Sequence, residues 1–67
     1  MSRITETEIV ETIERLLKSD ITAYRIYTQT GVGQAKISRL KSKEIKINNL
    51  TLNVAMKLYE YAKGNNI

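Results

Sequence analysis

Gly31 and Gly33 flank Val32 near the middle of the run TAYRIYTQTGVGQAKISRLKSK, Thr22 to Lys43, and they limit what that run can become. Glycine after a helical stretch is a common left-handed cap, because positive φ costs it no Cβ clash. Thr22 is a good N-cap for a helix predicted over 23–30. Gly33 then caps a second helix, predicted over 34–42. A helix, a short Gly-bearing turn and another helix make the helix-turn-helix pattern.

Apolar spacing supports the second helix. Ile26, Val32, Ile37 and Leu40 are the only aliphatics of the run beyond alanine. Ile37 and Leu40 stand three apart, on one face. The opposite face shows Gln34, Ala35, Ser38 and Arg39, flanked by Lys36 and Lys41. That face is small, polar and positive. Gln and Arg can pair bidentately with adenine and guanine edges in the major groove, and alanine can touch a thymine methyl.

On these residues the chain resembles the Cro and phage-repressor (Xre-type) helix-turn-helix family. Ile26, the Thr30-Gly31-Val32 turn, Gln34 and the Ile37-Ser38-Arg39-Leu40 ending carry the likeness. Asn49-Leu50-Thr51-Leu52 with Lys57-Leu58 resembles the fourth helix of that group, so the likeness covers about residues 20 to 63. It implies a lambda-repressor-like bundle that binds double-stranded DNA. Two positions depart from the family. Tyr27 stands where a small residue is usual, so either the helix crossing widens or the ring swings outward. Gly33 stands where Ser or Thr is common, which removes a side-chain cap and a phosphate or base contact.

The charge distribution points the same way. The net charge of +4 divides into −2 over residues 1–20 (three basic, five acidic) and +6 over residues 21–67 (eight basic, two acidic). Lys36, Arg39, Lys41, Lys43 and Lys46 cluster against a single acid, Glu44. Such clustering suits a polyanion; a merely solvated basic face is the plain alternative. With no Cys, disulfides and thiolate metal sites are excluded; with no His, the usual general base and zinc ligand are missing too. No cofactor is expected and no enzyme: general acid–base work would fall to Glu or Lys, and no phosphate-cradling Gly loop precedes a Lys-Ser pair. No apolar run approaches a membrane span, and no signal-peptide pattern opens the chain, so a cytoplasmic protein is expected.

The rest of the chain reads as support. Thr5 with Glu8 fits a capping box at the start of a helix over 6–18. Ile9, Ile13, Leu16 and Leu17 give it an apolar stripe of helical period. Ile21 tucks under the connection to the next helix. Lys43 to Ile47 alternates like a strand, but nothing is present to pair with it, so a loop anchored by Ile45 or Ile47 is expected. Asn48, Asn49 or Thr51 caps a last helix over 50–63, with Leu52, Ala55, Leu58, Tyr59 and Ala62 facing inward; Gly64-Asn65-Asn66 stops it, glycine being a usual residue just past a helix end. Val54 and Tyr61 lie just off that stripe, at the core edge or as a self-association patch. The fold class is thus all-α, a single small bundle of four helices, or five. Sixty-seven residues bury only a modest core.

The function expected is a sequence-specific transcriptional regulator, a repressor from a phage, plasmid or other mobile element. Gln34, Ala35, Ser38 and Arg39 would meet bases. Thr22, Tyr24, Lys36, Lys41, Lys43 and Lys46 would hold phosphates, though Tyr24 equally suits the core edge. One such module meets few base pairs, so a homodimer on a palindromic site is expected. The alternative is a protein-interaction module of the antitoxin or nuclease-inhibitor type.

Overall fold

A computed structural model describes residues 5–67. Four α-helices follow in order: α1 (Glu6–Lys18), α2 (Ala23–Thr30), α3 (Gln34–Lys41) and α4 (Leu52–Gly64). A single 3-10 turn, Ile47–Asn49, sits between α3 and α4. Among the described residues no strand forms, and the Lys43–Ile47 alternation is loop and turn.

Each helix starts where a threonine or glycine allows it. Thr5 Oγ1 accepts the Glu8 amide at 3.1 Å, and Thr22 Oγ1 accepts the Arg25 amide at 3.1 Å. Thr51 is the cap of α4, accepting the Val54 amide at 3.4 Å. The second half of the expected capping box is diverted. The Glu8 carboxylate accepts the Tyr59 hydroxyl at 3.0 Å, which joins α1 to α4 across the chain. Burial, then this bond and the nearby negative charge, raises the Tyr59 pKa above its ordinary value, so the phenol stays a donor.

The α1 stripe lands as spaced. Ile13 and Leu16 are fully buried, Ile9 and Leu17 half-buried, and Thr12 joins them although its hydroxyl hid it from the apolar pattern. Ile26, Val32 and Ile37 bring α2, the turn and α3 into the same core, which Leu40, Leu58, Tyr59 and Ala62 complete. Helix α1 packs chiefly on α4, and α2 chiefly on α3. Val54 and Tyr61 pack against the core edge, as do Ile21, Ile45 and Ile47.

Three expectations about the last helix change. It starts at Leu52, not residue 50; Leu50 lies outside it, half-buried after the 3-10 turn. Leu52 is not on the inward stripe but 74% exposed, because the first position after the cap points away from the core here. The helix stops within Gly64-Asn65-Asn66 as expected, but Gly64 is still helical, and Asn66 rather than the glycine takes the left-handed conformation at φ 60°. The Asn66 amide donates to Lys63 O and the Ile67 amide to Ala62 O, closing the helix end and returning Ile67 to the core.

Helix α3 closes in the same way, one residue earlier than expected, with Ser42 as its C-cap. The Glu44 amide donates to Arg39 O at 2.9 Å and the Lys43 amide to Leu40 O at 3.2 Å. This Schellman arrangement needs a left-handed residue between them, and that residue is Lys43, at φ 66°. Glycine would adopt it without the Cβ clash. Lys43→Gly is therefore expected to raise stability by about 0.5–1 kcal/mol in urea denaturation. No gain would show that the lysine stem makes compensating contacts.

Candidate nucleic-acid interface

The turn positions everything else. Gly31 takes φ 79° and donates its amide to Tyr27 O at 2.8 Å, ending α2. Thr30 Oγ1 donates to Ile26 O at 2.7 Å and accepts the Val32 amide at 3.1 Å, bracing the turn from inside. Val32 is driven into the core at 5% exposure, so α3 leaves the turn with Ile37 and Leu40 inward. The outward face is then fixed. Gln34, Ala35, Lys36, Ser38 and Arg39 are all exposed. Gly33 caps α3 without a side-chain bond, so the first amides of the helix have no hydroxyl acceptor there.

Tyr27 swings outward, at 43% exposure, which answers the departure noted in the sequence. Its ring leans on Tyr24, with centroids 6.4 Å apart and planes tilted by 55°. Tyr24 is 62% exposed, so it does not cover the core edge. Thr22 is exposed at the start of α2, with its hydroxyl occupied as a cap acceptor but its proton free to donate.

The lysines divide into two kinds. Lys36, Lys43 and Lys46 are exposed. Lys41 is half-buried, and its ammonium donates to Ile21 O at 2.9 Å. That bond ties the end of α3 to the loop before α2, one peptide from Thr22. A structural duty for Lys41 was not visible in the sequence, because the partner lies twenty positions away. Two ammonium protons remain for other acceptors.

The sequence reading noted Glu44 but not its pairing with Arg39. Its carboxylate lies 3.8 Å from Arg39 Nε, with both side chains well exposed. An ion pair this open is weak. Its consequence is local: the one acid in the basic cluster stands against Arg39, the arginine expected from the sequence to read bases. Removing it is expected to strengthen attraction of a polyanion. Glu44→Gln should raise affinity for duplex DNA by about two- to fivefold at low salt, with the gain shrinking as salt rises. Unchanged affinity in an anisotropy titration would place Glu44 away from bound DNA.

The remaining acids of the described residues lie on other elements. Glu6, Glu8, Glu11, Glu14 and Asp20 belong to α1 or the loop after it, and Glu60 to α4. Among the described residues no group of three acidic side chains stands close enough to hold a metal ion, and no helix is long and apolar enough to cross a membrane. The geometry brings Gln34, Ala35, Ser38 and Arg39 onto one exposed helix face, with Lys36 on its flank and Lys43 and Lys46 in the loop beyond. Compared with models of known protein families the chain matches none, and a comparison with curated proteins finds no relative.

Proposed function

We propose that this protein is a sequence-specific double-stranded DNA-binding transcriptional regulator, a repressor of the Cro and phage-repressor type. One observation carries the reading. Helix α3 is anchored by Ile37 and Leu40, so it offers a rigid outer face of small, polar and positive side chains. Rigidity matters, because base readout needs side chains held in register with base edges. In this reading α3 enters the major groove, Gln34 and Arg39 read bases, and Ala35 allows close approach. Lys36, Lys43 and Lys46 hold phosphates, with Thr22, Tyr24 and Lys41 alongside the start of α2. Two copies on a palindrome would set half-sites about one helical turn apart. Repression is then steric, by occupying the promoter.

Reversing charge at two exposed lysines tests this. Lys36→Glu with Lys43→Glu is expected to abolish duplex binding in a gel shift, while the helical circular dichroism spectrum stays intact. Binding equal to the parent protein would contradict the reading.

A second reading has one observation in its favour. The exposed Tyr24–Tyr27 pair is the kind of rigid aromatic surface enriched at protein interfaces. A protein-interaction module of the antitoxin or nuclease-inhibitor type would use it. Replacing both tyrosines by serine would then remove partner capture, whereas the lysine double variant would leave it in place.

A further inference from the structure

Between α1 and the loop that follows α3 lies a cleft of about 350 Å³. Its floor is aliphatic: Val10 and Leu17 from α1, Leu40 from α3, and Ile45 and Ile47 from the loop. Four lysines line it as well, Lys18, Lys41, Lys43 and Lys46, against one acid, Glu14. The volume falls at the small end of the range for small-molecule sites, roughly 300–1,000 Å³. An apolar floor with a net positive lining is complementary to one chemistry, an anionic head group on a short hydrocarbon tail. The size suits a single chain better than a helix of another protein.

We propose that this cleft binds a free amphipathic carboxylate of medium chain length, and that the ligand opposes DNA binding. The tail lies on Val10, Leu17 and Ile45, and the carboxylate meets the lysine ammoniums. The second half rests on the DNA-binding reading above. Lys43 and Lys46 line the cleft and also belong to the surface proposed for phosphates, so one anion is held at the expense of the other. Competition of this kind is reciprocal: DNA weakens the carboxylate by the factor by which the carboxylate weakens DNA.

The cleft is tested without DNA. Decanoate, below its micelle concentration, is titrated into the isotope-labelled protein and followed by amide NMR shifts. Saturable shifts are expected at Val10, Leu17, Ile45 and Ile47, with octanoate weaker by about fourfold or more, since each buried methylene contributes. Lys18→Gln lies outside the proposed DNA surface and should weaken decanoate several-fold while the protein stays folded in the thermal melt. Absence of saturable shifts would overturn the assignment. So would equal binding of decyltrimethylammonium, a response to phosphatidylglycerol vesicles alone, or a response to an acidic amphipathic peptide alone. The coupling is read separately, by anisotropy of a bound duplex. Saturating decanoate is expected to lower duplex affinity about tenfold or more; unchanged affinity would overturn the regulatory half. A protein that binds decanoate in the NMR titration but no duplex in its absence would retain the cleft and lose the DNA reading.

Discussion

Ile26→Ala is expected to cost about 2–5 kcal/mol, which is most or all of the stability of a chain this small. Ile26 has no exposed surface and sits where α2, the turn and α3 meet the core. Two penalties combine. The lost methyl groups forfeit their transfer free energy, and the rest of the core cannot close the gap without moving the helices that hold it. Because α2 carries only one fully buried side chain, nothing else on that helix can replace the anchor. Urea denaturation followed by circular dichroism measures the effect. Ile26→Val should cost about 0.5–1.5 kcal/mol and keep a cooperative transition, giving a folded reference. A loss below about 1 kcal/mol for the alanine variant would show that the site collapses freely and that α2 is held by other contacts.

Arg39→Ala is the second large effect, and it falls on recognition rather than on folding. The side chain is well exposed and its pairing with Glu44 is long and open, so stability should shift by no more than about 0.5 kcal/mol. Affinity for the preferred duplex should fall by about 1–3 kcal/mol, and discrimination should relax at one base pair per half-site. Anisotropy against a set of duplexes, each altered at one position, reads both quantities. An equal loss on every duplex would make Arg39 a phosphate contact, and the slope of affinity against salt would then fall by about one unit.

Much of the architecture was legible because short helices announce themselves through caps and spacing. Thr5, Thr22 and Gly31 each act where local chemistry places them, and α1 and α2 keep their expected bounds. The core positions Ile13, Leu16, Ile37 and Leu58 follow from helical period, and Ile26 from being the lone large aliphatic of α2. What escaped was of another kind. Lys43 in a left-handed conformation has no sequence signal, since the residue favoured there is glycine. Within the stop Gly64-Asn65-Asn66 the left-handed position fell to Asn66 rather than to the glycine, and Ile67 beyond it packs against the core. Leu52 reads as a core residue by its place on the stripe, yet at the first position after Thr51 it is exposed.

The candidate site shows the same division. The outward face of α3 follows from two inward residues, so Gln34, Ala35, Ser38 and Arg39 could be placed from spacing. The pairings of Lys41 with Ile21 O and of Arg39 with Glu44 depend on tertiary approach and on side-chain rotamers, which no periodicity encodes. Lys43 joins both themes. Glycine would relax the end of α3, but an exposed lysine there adds a cation to the loop beyond the proposed reading helix. A residue that costs local stability at such a place fits a functional duty.

The central claim is that α3 reads duplex DNA, and fluorescence anisotropy tests it most directly. The protein is titrated into DNA from just upstream of its own gene and into a shuffled duplex, each at two salt concentrations. The account predicts preference for the native duplex, with affinity for both falling steeply as salt rises. No binding to either duplex at low salt would contradict it.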